Sequence, residues 1–174
     1  AMAANARMDS KQILKLLPEF KGMDRRVMFK DKLNEITVLD DYAHHPTEIR
    51  ASLQAIRQKY EPKRLWCIFQ PHQYSRTRFL LKDFAESFTL ADVTILPEIY
   101  FVRDSVETKK EVNAKMLAEK ICSNGSEAIF IDGFDTICEY LVKNVQPGDV
   151  AVTMGAGDIW KVADEYIRRL RGNS

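Results

Sequence analysis

One pattern limits what this chain can fold into. From about residue 36, short runs of almost unbroken apolar residues alternate with longer segments whose apolar residues recur every three or four positions. The runs are Ile36-Thr-Val-Leu39, Leu65-Trp-Cys-Ile-Phe69, Asp92-Val-Thr-Ile-Leu96, Ala128-Ile-Phe-Ile131 and Val150-Ala-Val-Thr-Met154. After each comes helical spacing: Ile49, Leu53, Ile56 and Tyr60; Phe79, Leu80, Phe84 and Phe88; Met116, Leu117 and Ile121; Phe134, Ile137, Cys138 and Leu141; Ile159, Val162, Tyr166, Ile167 and Leu170. A strand that is apolar on both sides must be covered on both sides, and crossover helices supply the cover. The expected fold is therefore α/β: a Rossmann-like, doubly wound sheet of about five parallel strands with right-handed crossovers. Arg26-Val-Met-Phe29 lies just upstream, with Lys32-Leu-Asn-Glu35 as a hairpin turn, which adds one antiparallel edge strand.

The first 21 residues do not fit the alternation. Asp9 can cap a helix carrying Ile13, Leu14 and Leu17, with Gln12 reaching back and Pro18 as the stop. Residues 1–21 are thus expected to be the last helix and linker of a preceding domain, and residues 22–174 the domain itself. With 26 Lys+Arg against 25 Asp+Glu, the net charge of +1 gives no field favouring nucleic acid. No apolar run approaches the roughly 20 residues of a membrane span. The start has no signal-peptide core, so a cytoplasmic location is expected. Cys67, Cys122 and Cys138 lie far apart within apolar segments and are expected to be buried free thiols, as suits a reducing compartment. No zinc spacing is present, and no metal ligand is expected on this chain.

In an open parallel sheet, ligands gather beyond the carboxyl ends of the strands. Three polar clusters fall there: Asp40 to Glu48, Gln70 to Arg78, and Gly155-Ala-Gly-Asp158, the last with Asp158 as expected helix cap. All three histidines, His44, His45 and His72, are in the first two clusters. A lone histidine is more often structural than functional; three confined to one rim favour a site. Arg76 and Arg78 begin a helix, where a cation is electrostatically unfavourable, so a carboxylate or phosphate partner is expected; a solvated helix turn is the plainer alternative. No Gly-x-x-x-x-Gly-Lys-Ser/Thr loop and no Ser or Cys nucleophile beside a base is visible. The rim can grip an anion, but no catalytic residue is identified.

The residues carry a resemblance. Asp40-Asp-Tyr-Ala-His-His-Pro-Thr-Glu48, Phe69-Gln-Pro-His72 through Tyr74-Ser-Arg-Thr-Arg78, and Gly155-Ala-Gly-Asp-Ile-Trp-Lys161 are similar, in order, to three signatures of the carboxy-terminal domain of Mur ligases, in the branch that joins L-alanine to UDP-N-acetylmuramate. Phe20-Lys-Gly22 with Arg25-Arg26 resembles the junction to the central domain. The resemblance implies a three-domain enzyme. The first domain binds the UDP sugar, the central domain holds the phosphate loop and Mg2+, and the third closes over ATP and the amino acid. The muramoyl carboxylate would become an acyl phosphate, which the amine of L-alanine attacks. Asp41 and His44 would then serve ATP, and Tyr42, His44, His72 and Arg76 would surround the amino acid, with Arg76 on its carboxylate. His45, Gln73, Arg78, Gly155, Gly157 and Asp158 would support them. Some family members have arginine where this chain has Gln73, which leaves the carboxylate to Arg76 alone or to Arg76 with Arg78. The chain alone is expected to be inactive. A murein tripeptide recycling ligase shares the first signature, and a stand-alone nucleotide- or anion-binding module is the reading from a different class.

Overall fold

The computed structural model describes residues 26–104 and 106–172. The helix and linker expected over residues 1–21, and Arg25, lie outside them. The described chain opens on a hairpin, β1 (Met28–Leu33) and β2 (Ile36–Asp41), paired antiparallel from Leu33↔Ile36 to Met28↔Asp40. The edge strand is as expected in kind, but its turn is tighter. Lys32 and Leu33 belong to the strand, and the turn is only Asn34-Glu35, both with positive φ (50° and 62°). A two-residue turn with both φ values positive matches the twist of the flanking strands, whereas a four-residue loop would leave two ladder positions unpaired.

Four more strands follow: β3 (Leu65–Phe69), β4 (Val93–Leu96), β5 (Ala128–Phe130) and β6 (Val150–Met154). The order across the sheet is β1-β2-β6-β3-β4-β5, parallel throughout except for the first pair. The last strand inserts between β2 and β3, pairing Leu39 with Val152 on one side and Cys67 with Val152 on the other. The three polar clusters therefore follow three adjacent strands.

Seven described helices complete the chain: α1 (Pro46–Tyr60), α2 (Tyr74–Phe79), α3 (Leu81–Ala85), α4 (Val106–Glu111), α5 (Ala114–Ser123), α6 (Phe134–Asn144) and α7 (Trp160–Gly172). Alternate strand residues feed two core layers. Leu65, Cys67, Phe69, Val150 and Val152 pack with Ile49, Leu53 and Ile56 of α1, Phe84 of α3, Phe88, and Leu117 and Ile121 of α5. Trp66, Ile68, Val93, Ile95 and Ala151 pack with Ile137 and Leu141 of α6 and Val162, Tyr166 and Leu170 of α7. Each fully buried side chain of this size contributes about 1.5–3 kcal/mol of transfer free energy, so the two faces anchor the sheet comparably.

Some expectations need correction. Phe79 is 86% exposed, because the helix expected to carry it with Phe84 and Phe88 breaks at Leu80 (φ −104°, ψ 18°) and restarts as α3. Met116 is 40% exposed, one position off the face that Leu117 and Ile121 bury. Of the cysteines, Cys67 and Cys138 are buried but Cys122 is exposed near the end of α5. Burial raises both buried thiols, Cys138 to about 11, so they are protonated and inert near neutral pH. The charged stretch after Glu98 holds the short helix α4. No helix among the described residues is long and apolar enough to cross a membrane.

Candidate functional site

At the end of β2, Asp41 is fully buried and its carboxylate is in use within the chain. Oδ1 accepts the Ala43 N–H (2.6 Å); Oδ2 accepts the Val27 N–H (2.8 Å) and the Ser52 hydroxyl (3.0 Å). One side chain thus fastens the start of the edge hairpin, the loop and α1. Its carbonyl also accepts the Gly155 N–H (3.1 Å), joining the first loop to the third. Asp40 accepts the Thr153 hydroxyl (2.7 Å) across to β6.

The first loop turns into α1 at His45, which is exposed and caps the helix, its Nδ1 accepting the Thr47 N–H (3.4 Å). Pro46 is ready-shaped for the first helical position and Glu48 complements the amino-end dipole. His44 Nδ1 lies 3.0 Å from the Tyr42 carbonyl and 3.5 Å from Glu48 Oε2. Partial burial pushes the Glu48 carboxyl up. The His44 N–H, the charges of His44 and Arg26, and the His45 N–H outweigh it, and the group titrates below the usual range.

Rings join the first loop to the second. Tyr42 meets His44 edge-on (centroids 5.2 Å), His44 meets His72 edge-on (6.3 Å), and His72 stacks on Tyr100 (5.5 Å, 15° between planes). Burial pushes the His72 pKa below its usual value, and the charges of Arg76, His44 and Arg103 add to the shift against Asp104, so the imidazole is neutral at pH 7. Gln73 takes a left-handed backbone (φ 71°), a conformation held only when the surroundings fix it. Here the surroundings are residues 98–104. Tyr100 donates its N–H to the Pro71 carbonyl (2.9 Å) and accepts the Gln73 N–H (3.2 Å). Asp104 accepts the Tyr74 and Ser75 N–H groups (2.6 and 3.2 Å), capping α2 from another segment.

Two arginines indistinguishable in sequence separate in space. Arg78 forms an ion pair with Glu111 of α4. Arg76, half-buried, has neither an ion pair nor a side-chain hydrogen bond among the described residues. In the third loop, the Asp158 carboxylate pairs with Lys161 Nζ (3.0 Å), and its carbonyl accepts the Lys161 N–H. Gly155 has φ 147°, and a Cβ there would stand 2.8 Å from the Gln70 carbonyl, so the strand exit requires glycine.

The structure therefore places Tyr42, His44, His72 and Arg76 at one rim. His45, Gln73 and Asp158 have local structural bonds there, and Arg78 turns to α4. Sequence reasoning missed Tyr100 and Asp104 as contributors, and it placed Gln70 in the second cluster without giving it a role. Tyr100 lies beyond the carboxyl end of β4, where the strand-end rule could have found it; Asp104 had no such signal. The arrangement offers aromatic and imidazole rings with His72 neutral, and the Arg76 guanidinium without an ion-pair partner among the described residues. No nucleophile–base pair is visible among those residues, so the rim can orient a ligand and neutralise an anion.

The family model described as "Mur ligase, glutamate ligase domain" matches residues 25–157. The chain is 46% identical over 156 residues to the UDP-N-acetylmuramate–L-alanine ligase of Acetivibrio thermocellus, covering 90% of this chain and 33% of that protein. To the Desulforamulus reducens enzyme of the same name it is 41% identical over 98% of this chain and 36% of that one. Among solved structures it resembles the UDP-N-acetylmuramate-alanine ligase of Thermotoga maritima (TM-score 0.76, 28% identity, 99% of this chain and 36% of that). It also resembles a murein peptide ligase of Psychrobacter arcticus (TM-score 0.75, 26% identity, 97% and 34%). The chain spans about a third of the length of the curated relatives it matches. With three strand-end loops meeting as they do and a family model covering most of its length, this chain belongs to the Mur ligase family.

Proposed function

We propose that this chain is the carboxy-terminal, closing domain of a cytoplasmic ATP-dependent ligase that adds L-alanine to UDP-N-acetylmuramate. The carrying observation is Arg76, a guanidinium without an ion-pair partner among the described residues, standing beside neutral His72 where three loops of adjacent strands meet. In this reading the missing amino-terminal domain binds the UDP sugar, and the missing central domain supplies the phosphate loop and Mg2+ and makes the acyl phosphate. The amine of L-alanine attacks the acyl carbon, the bond from that carbon to the bridging phosphate oxygen breaks, phosphate leaves, and the nitrogen gives up a proton as the amide forms. This chain contributes orientation and charge: Arg76 holds the L-alanine carboxylate, and Tyr42, His44 and His72 enclose the molecule. His44 also faces the nucleotide. Because both Asp41 oxygens are engaged within the chain, Asp41 serves ATP through the loop it holds.

A guanidinium binds a carboxylate by two parallel hydrogen bonds that lysine cannot reproduce. Losing such a contact costs about 2–5 kcal/mol when the partner charge is left unpaired in a closed site. In the full-length enzyme, Arg76→Ala should raise the KM for L-alanine by roughly one to three orders of magnitude, at about 1.4 kcal/mol per tenfold. The KM values for ATP and UDP sugar should move much less, Arg76→Lys should recover part of the loss, and Arg78→Ala should cost only its ion pair with Glu111. An unchanged KM for L-alanine in Arg76→Ala would refute the assignment. Tripeptide offered in place of L-alanine tests the recycling-ligase alternative in the same assay.

A further inference from the structure

Gln70, the first residue after β3, is only 5% exposed, yet its amide oxygen Oε1 accepts no hydrogen bond among the described residues. Leaving a buried acceptor unpaired costs stability and is uncommon in folded proteins, so each case asks for a partner. The position of Oε1 is defined by the third loop. A Cβ built on Gly157 would stand 2.8 Å from it and 3.0 Å from the Tyr100 ring. Gly157 does not have a left-handed backbone, so glycine here serves the close approach of the third loop to Gln70 and Tyr100 rather than a turn. His72 Nδ1, on the imidazole stacked against that same Tyr100 ring, is a second buried polar atom without a partner among the described residues. Two unpaired polar atoms thus flank one ring beside one glycine, in the loop system that carries Arg76.

We propose that Gln70 contacts the substrate: its Oε1 accepts a hydrogen bond from the ammonium group of the amino acid whose carboxylate Arg76 holds, in a niche walled by Gly157 and Tyr100. This rests on the reading of Arg76 given above. An amide oxygen can only accept, so the ligand must bring a donor. An amino acid held by its carboxylate carries an ammonium group next to that anchor. Neutral His72 is compatible with a cation beside it. The exocyclic amine and ribose hydroxyls of ATP and the amide and hydroxyl groups of the UDP sugar are the other donors within the reaction, and kinetics that vary each substrate separate them from the ammonium group.

The test is steady-state kinetics on the full-length enzyme, varying each substrate in turn, with a melting curve for each variant. Gln70→Met keeps the side-chain length and removes the acceptor. It should raise the KM for L-alanine about tenfold, equivalent to about 1.4 kcal/mol, leaving the KM values for ATP and UDP sugar in place. Its melting temperature should stay level or rise, because an unpaired polar atom has left a buried position. Gly157→Ala keeps the oxygen but sets a methyl group against it, and should produce the same selective rise; it decides the matter if Gln70→Met does not fold. A lower melting temperature with equal loss toward all three substrates would make Gln70 structural and overturn the proposal, as would a rise confined to ATP. If Arg76→Ala raises the KM for L-alanine while Gln70→Met and Gly157→Ala leave it unchanged, the role of Gln70 alone is lost. If none of the three raises it, the reading of the site fails and the role of Gln70 fails with it.

Discussion

A carboxylate without exposed surface is costly unless its oxygens are occupied, and Asp41 occupies both. The three donors are the Val27 N–H, the Ala43 N–H and the Ser52 hydroxyl. Asn in its place would turn an amide NH2 toward at least one of those donors. Asp41→Asn should therefore lower stability by roughly 2–4 kcal/mol, the scale expected when a buried charged hydrogen-bond network loses an acceptor. Denaturant titration of wild type and variant reads this directly. If the variant melts with the wild type and only the KM for ATP rises, Asp41 is a direct nucleotide ligand and its structural role is disproved. Sequence placed Asp41 at a strand end but could not display this use, because the partners lie 14 and 11 residues away on other elements. The arginines teach the same lesson. Arg76 and Arg78 share one helix and one residue type, and only the fold brings Glu111 to one of them.

Elements were legible where burial imposes a period. Each run from β2 to β6 is apolar enough on both faces to announce a covered strand, and Ile49, Leu53 and Ile56 announce the helix between two of them. Periodicity misled where a helix broke: Phe79 stands at helical spacing from later apolar residues, but the break at Leu80 rotates it into solvent. Beyond the edge hairpin, the order of the strands was not legible. The placement of β6 between β2 and β3 joins segments more than eighty residues apart in the chain, and no local signal encodes it. The turn at Asn34-Glu35 offers a test at this scale. Two positive φ values suit Asn followed by Gly, and Glu35 bears the steric cost of a left-handed backbone. Glu35→Gly should stabilise the protein by roughly 0.5–1 kcal/mol, the relieved strain exceeding the extra entropy of glycine in the unfolded chain. A shift of the unfolding midpoint to lower denaturant would show that Glu35 makes a compensating contact and that this account of the hairpin is wrong.

For the whole molecule, the question is how far a rim can act alone. Phosphoryl transfer is positioning plus charge neutralisation by a phosphate loop and metal ions, and this sequence contains no such loop. On the reading proposed above, the described residues offer the half of a site that closes on an anion. Purified alone, the chain should unfold cooperatively, since two core layers bury the sheet, yet release no phosphate from ATP in the presence of UDP-N-acetylmuramate and L-alanine. Joined in one polypeptide, a closing domain acts at an effective concentration on the millimolar scale. Supplied separately at micromolar concentration it loses that advantage, and a net charge of +1 gives no long-range attraction to replace it. On the proposed reading, mixing this chain with the amino-terminal and central domains should therefore restore only a small fraction of full-length turnover, rising in proportion to the concentration of added chain. Three phosphate-release assays decide it: the chain alone, the mixture across a concentration series, and the intact enzyme. Turnover by the chain alone near the intact rate would overturn the division of labour. A mixture saturating at low micromolar concentration would instead mean that the rim docks tightly without its covalent link, and that closure is a stable interface rather than a transient one.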